Sequence, residues 1–167
     1  MSLENTIKER GLSACNILIA TLLAEFWNYG FVNQGTLNII TKKIADSLVT
    51  YCESKGTDQS LKEVPFSKEF VEKIIDSFIE KLDPFPKPEI IELEKDKKIE
   101  IKIETNKCKF CPKGVGQAEI PGTLCMFPSL IRWIIQDHTS EKISNTNIIK
   151  EEGRCVFILS KEENKEE

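Results

Sequence analysis

The sequence predicts an α+β fold in which N-terminal helices pack on an antiparallel β-sheet, and three observations carry that expectation. Apolar residues recur every three to four positions through the first half of the 167-residue chain. After Pro88 the apolar period drops to two. Between the two regimes lies Asp83-Pro84-Phe85-Pro86-Lys87-Pro88, which cannot continue a helix because each proline removes a donor and pushes its predecessor toward extended geometry.

The elements follow in order. Cys15, Leu18, Leu22 and Phe26 recur at helical spacing with Ile19 and Leu23 beside them, which predicts a first helix facing the core with this stripe until Gly30. Leu37, Ile40, Ile44, Leu48 and Tyr51 predict a second helix after Gly35, closed at Lys55-Gly56. Ser67 reads as the N-cap of a third, with Glu69 in its first turn and an apolar face of Phe70, Val71, Ile74, Ile75, Phe78, Ile79 and Leu82. Ile91 and Leu93 then alternate with Glu92 and Glu94. After the turn Lys95-Asp96-Lys97, Ile99, Ile101 and Ile103 alternate with Glu100, Lys102 and Glu104, which reads as a hairpin with one wet face. A short buried helix is expected from Pro128, carrying Leu130, Ile131, Trp133, Ile134 and Ile135. A second hairpin turns near Glu152-Gly153. Its return strand is apolar on both faces and should be central. One domain, 1–160, is expected, with a mainly helical part (1–87), a β-rich cysteine-containing part (88–160) and a disordered tail (161–167).

Composition excludes several function classes. A net charge of −4 offers no general attraction to nucleic acid or anionic lipid. The longest apolar run, residues 17–24, is far short of the roughly 20 residues that span a bilayer, so no membrane span is expected. Glu4 and Glu9 spoil any basic leader region. A chain of this length needs no disulfide framework, and its six cysteines therefore point to a cytoplasmic protein.

Cys108-Lys-Phe-Cys111-Pro-Lys-Gly is the most informative segment. A C-x2-C pair on a tight turn brings two thiolates within reach of one soft cation, and Gly114 lets the chain fold back. Cys125 follows after thirteen intervening residues and Cys155 after a further 29, on the strand expected to return over this region. Four thiolates can therefore converge as a closed tetrahedral site, which suits structural zinc. Three other readings compete. The cysteines are small buried hydrophobes, as expected for Cys15 and Cys52 on helix faces, or a thiol redox pair, or iron–sulfur ligands. His138 could replace one thiol, but a lone histidine at a helix C-terminus is more commonly a polar end residue.

The stretch from Cys108 through Cys125-Met-Phe-Pro-Ser-Leu130 to Gly153-Arg-Cys-Val-Phe157 resembles the 4-vinyl-reductase-like, hydrocarbon-binding domain family. That resemblance implies a domain related to Golgi transport tethering subunits and haem nitric-oxide sensors, with a lipophilic cavity between helices and sheet, and a homodimer. Neither an axial histidine in a helical pocket nor a Y-x-S-x-R element is present, so haem is not expected.

No catalytic motif of the HExxH, nucleophile-elbow, P-loop or GxGxxG type occurs, and an enzyme is not expected. The expectation is a small-molecule binding module for a lipophilic ligand. Phe26, Trp27, Phe31, Trp133, Ile134 and Phe157 would line its cavity, and zinc on Cys108, Cys111, Cys125 and Cys155 would clamp the neighbouring loop. The alternatives are a dimeric assembly or adapter protein with a filled core, and a thiol redox sensor using Cys108 and Cys111.

Overall fold

The computed structural model of the chain describes residues 3–54, 64–112, 115 and 125–162, Cys52 and Glu53 by their backbone alone. Among the described residues five α-helices, α1 (Leu3–Arg10), α2 (Ala14–Asn28), α3 (Gln34–Ser54), α4 (Lys68–Leu82) and α5 (Phe127–His138), accompany five strands. These are β1 (Glu89–Glu94), β2 (Lys98–Glu104), β3 (Ile143–Asn145), β4 (Ile149–Glu151) and β5 (Arg154–Lys161). The strands form one antiparallel sheet in the order β1-β2-β5-β3, with β4 also paired to β5, so the α+β expectation holds.

Local chemistry explains the elements that the periodicity located. Ser67 is extended (φ −148°, ψ 165°) and its hydroxyl accepts the Phe70 amide at 3.2 Å, which satisfies one of the free amides that open α4. Asp83 closes the helix in the left-handed region at φ 44° and donates its amide to the Ile79 carbonyl at 2.8 Å. Between these caps Phe70, Val71, Ile74, Ile75 and Phe78 are buried. The turn between β4 and β5 places Glu152 and Gly153 at φ 45° and 78°. Two successive positive angles match the right-handed twist of the flanking strands.

β5 is central, as its two-faced apolarity requires. Ile99, Ile101 and Ile103 of β2 stand opposite its Leu159, Phe157 and Cys155, all buried, while Lys102 and Glu100 pair with each other at 3.1 Å on the opposite face. α4 and α5 cover the core face and α3 packs outside α5. Phe85, from the proline-rich connection, is fully buried and meets Phe127 edge-to-face at 4.9 Å between ring centres. The connection is thus an anchored part of the core as well as a helix stop.

Several expected faces are corrected. On α2 the stripe Cys15, Leu18, Leu22 and Phe26 is exposed, and the helix instead buries Asn16, Ala20 and Ala24. Small side chains let its backbone approach its neighbours closely, and Asn16 is consumed in a capping box with Ser13. On α3, Leu37, Thr41 and Ala45 are buried, whereas Ile40 and Tyr51 are exposed. On β1 the inward residue is Ile90, opposite Ile101; Leu93 is exposed because the register shifts between Glu92 and Glu94. Lys161, expected in the tail, belongs to β5 and donates its amide to the Lys97 carbonyl at 2.9 Å. Lys55, Gly56, Gly114 and residues 163–167 lie outside the described residues.

Candidate metal centre

Four chain segments meet at one end of the β2–β5 ladder. After β2, a 3-10 turn (Thr105–Lys107) delivers Cys108. The Thr105 amide and hydroxyl both donate to the Gly153 carbonyl, at 2.9 and 2.5 Å, and so fasten this turn to the β4–β5 hairpin. Cys155, two residues beyond Gly153, occupies the core face opposite Ile103, with its sulfur 3.9 Å from the Thr105 hydroxyl. The C-x2-C turn is held from outside. Lys109 donates its amide to the Pro84 carbonyl at 2.8 Å, and Arg10 of α1 reaches the Cys111 carbonyl at 3.2 Å. Cys125 precedes α5, and its backbone is bracketed by Gln34 of α3, whose Nε2 donates to its carbonyl at 3.0 Å and whose Oε1 accepts its amide at 3.3 Å.

Cys108, Cys111, Cys125 and Cys155 line a single cavity of about 20 Å³, with Leu23, Ile103, Phe110, Phe127 and Ile148 among its apolar walls. About 10–15 Å³ is the minimum that holds one water, so this is a one-particle space. Burial dominates the thiol chemistry. It pushes Cys108 up to about 12, with the neighbouring Cys111 and Cys155 sulfurs adding to the rise. Cys125 is raised well above the ordinary thiol range for the same reason. Opposing this, the backbone amides of Phe110 and Cys111 are directed at the Cys108 sulfur and that of Phe127 at the Cys125 sulfur. Such amides stabilise a thiolate and orient it toward a common centre.

The donor chemistry of this cavity suits a soft cation. Four sulfurs and no carboxylate line it, the remaining walls are mostly apolar, and amide donors back two of the thiols. The geometry is open: among the described residues no three His, Cys, Asp or Glu side chains are gathered at metal-ligating positions. Binding therefore requires the sulfurs to contract onto the ion from the cavity wall. A cation would replace the proton on each sulfur and remove the cost of burying the thiolates.

The other sequence-derived site residues go elsewhere. His138 lies in the last turn of α5, about 16 Å along the helix from Phe127 at 1.5 Å per residue, and its Nδ1 bonds to the Ile134 carbonyl at 2.8 Å. Phe26 and Phe31 are exposed. Trp27 packs against Ala24, Val32 and Leu37, Trp133 lies half-buried beneath Lys42 and Arg132, and Ile134 and Phe157 belong to the main core. None of these six lines the cysteine cavity. Cys15 is exposed, against the expectation of a buried position, and the side chain of Cys52 lies outside the described residues. Conversely, Gln34, Thr105, Arg10 and Leu23 help to build the site without having been singled out. A polar residue in a first helical turn or after a strand carries no mark of what it will bond to, whereas the C-x2-C spacing does.

Comparison with known proteins places the chain among relatives of unassigned activity. It is 46% identical over 70 residues to an uncharacterized protein of Methanocaldococcus jannaschii, MJ1342, a match that covers 38% of this chain and 60% of that relative. The chain thus spans about 60% of the length of the curated relative it matches. No solved structure matches. The family profile that fits runs over residues 30–161, from the loop before α3 to the end of β5, and takes in Cys108, Cys111, Cys125 and Cys155. On that match the chain belongs to the MJ0207 family.

Proposed function

We propose that this protein is a metal-binding domain whose four thiolates hold one zinc ion structurally. The observation that carries the reading is the convergence of Cys108, Cys111, Cys125 and Cys155, from three separate stretches of chain, on one cavity of about 20 Å³. Zinc takes four sulfurs at about 2.3 Å in a closed tetrahedron, which leaves no position for substrate or water. Its role is then mechanical: it ties the β2 exit, the start of α5 and the β5 strand into one knot under α2 and α3. The reading is of a non-enzymatic protein. Free thiols at Cys15, Cys108, Cys111 and Cys125 agree with a reducing, cytoplasmic setting, and among the described residues no helix is long and apolar enough to cross a membrane.

Two other readings draw less support. The lipophilic-ligand reading rests on the resemblance to the hydrocarbon-binding family. The cysteine cavity does not favour it, because ligand pockets hold about 300–1,000 Å³. The redox-sensor reading needs an accessible thiolate of lowered pKa, and burial acts in the opposite direction on Cys108 and Cys125.

Elemental analysis of the purified protein, followed by chelation, tests the proposal. One zinc per chain is expected, with a sharp loss of melting temperature when it is stripped. Because the buried thiols bind protons tightly, returning zinc to the stripped protein in weak buffer should release protons, as many as four per ion. Metal-free protein in which native thiols titrate at once and chelator changes nothing overturns the reading.

A further inference from the structure

The second cysteine of the C-x2-C turn is held by a residue 101 positions earlier in the chain. Arg10, the last residue of α1, donates from its guanidinium to the Cys111 carbonyl at 3.2 Å and is itself only 8% exposed. An arginine is seldom buried so far unless the fold makes use of its donors. Two further contacts come from the same quarter. α1 packs on the 3-10 turn that delivers Cys108. Four residues past Cys111, Val115 is buried among Ile7 of α1, Leu12, and Ile17 and Ala20 of α2, and its amide donates to the Pro112 carbonyl at 3.1 Å. The N-terminal helices thus grip the turn on both sides of Cys111.

The other three sulfurs are placed by different means. Cys108 follows the turn tied to Gly153, Cys155 sits in the β2–β5 ladder, and Cys125 is bracketed by Gln34. All of these supports lie within residues 30–161, the span of the family profile, whereas Arg10 lies outside it. The Cys111 amide is aimed at the Cys108 sulfur while its carbonyl accepts from Arg10. Peptide groups are planar, so holding one on each side of the Cys111 α-carbon fixes both of its backbone angles and the direction in which its side chain leaves.

We infer that Arg10 is a positioning residue for the metal: it keeps the Cys111 thiolate on the ion and so sets how fast bound zinc is released. The inference rests on the zinc reading of the four-cysteine cavity. Cys111 is the ligand at which such control acts, because Cys108 and Cys155 are buried and Cys111 is half-exposed, where a competing chelator reaches it first. Four thiolates also outweigh the charge of one zinc ion, and a buried cation at the carbonyl of one ligand opposes that excess.

Zinc release from the full chain tests this. Three proteins are loaded with zinc and mixed with a chromophoric chelator: wild type, Arg10→Met, which keeps the buried stem without a donor, and Arg10→Lys, which keeps the charge without the planar fork. Release should be about ten- to a hundredfold faster from Arg10→Met and intermediate from Arg10→Lys. Alkylation of the loaded proteins, mapped by mass spectrometry, separates positioning from general loosening. In Arg10→Met the added reactivity should fall on Cys111 ahead of Cys108, Cys125 and Cys155, with the exposed Cys15 as an unchanged internal reference. Release at the wild-type rate from a folded Arg10→Met, or protection lost at all four cysteines together, overturns the inference and leaves the zinc reading intact. A wild type that takes up no zinc overturns both. If Arg10→Met does not fold, the same two measurements on Arg10→Lys decide.

Discussion

The carboxamide of Gln34 closes a two-point pair with the backbone of Cys125, donating to its carbonyl at 3.0 Å and accepting its amide at 3.3 Å. The same side chain donates to Asn38 Oδ1 at 2.9 Å, and that oxygen accepts the buried Ser129 hydroxyl at 2.7 Å. A polar ladder therefore runs from α3 to the first turn of α5, fixing where one of the four sulfurs enters the cavity.

Removing that ladder should loosen both the packing and the site. Gln34→Ala leaves the Cys125 amide and carbonyl without their partner, at a cost of about 1–2 kcal/mol. For a domain of this size that lowers the melting temperature by roughly 2–8 °C. The apparent zinc affinity should fall with it, by about tenfold, as expected for loss of an outer support of a ligand. Calorimetry and competitive metal titration read the two effects separately.

Cys108→Ser should cost far more than a thiol-to-hydroxyl exchange normally does. In a metal-clamped domain the lost ion takes several kcal/mol of folding free energy with it. Elemental analysis should show no zinc and calorimetry a strongly lowered transition. A variant that retains its metal and its melting temperature would exclude Cys108 as a ligand.

Acid sensitivity should centre on Glu141. Burial pushes its carboxyl up, yet hydrogen bonding and attraction to Lys161, together with the Phe66 amide at 2.9 Å, hold it below the usual carboxylate range. A depressed folded pKa contributes stability that is present above the unfolded value of about 4.3 and disappears as pH falls through the folded value. Glu141→Gln should therefore be less stable than wild type at pH 7, by about 1 kcal/mol given the half-exposed Lys161. The two proteins should converge as the pH drops below about 4. Urea unfolding across a pH series measures the difference; parallel curves would assign the acid sensitivity to other groups.

Two phenylalanines expected to share a ligand cavity should separate completely. Phe157 is 1% exposed at the centre of the sheet, and Phe157→Ala should cost about 3–5 kcal/mol through the cavity it leaves. Phe31 is 71% exposed, and Phe31→Ala should change the stability of the isolated chain by less than about 0.5 kcal/mol. Denaturant titration at low protein concentration compares them without interference from association.

How much was legible in the sequence depends on whether a segment's own pattern admits one solution. On β2 strict alternation leaves a single choice of inner face, and Ile99, Ile101 and Ile103 are all buried. α4 carries its caps and one apolar stripe in its own letters, so both its bounds and its buried face agree. The C-x2-C spacing likewise announces a paired-sulfur turn, and the two-faced apolarity of β5 marks a central strand. α2 is different, because apolar residues occur on nearly every side and periodicity alone cannot choose among them.

For α2 the choice fell to packing between elements distant in sequence, which selected the small face of Ala20 and Ala24 because it permits closer approach than Leu18 and Leu22 would. The meeting of Cys125 and Cys155 with the C-x2-C turn is also a tertiary outcome, set by the strand register and by Gln34. What the sequence by itself determined was the class of fold, the strands and helices with unambiguous patterns, and which cysteines to watch. Tertiary structure alone decided which apolar face stays outside and which sulfurs share a cavity, because both depend on neighbours that no local pattern encodes.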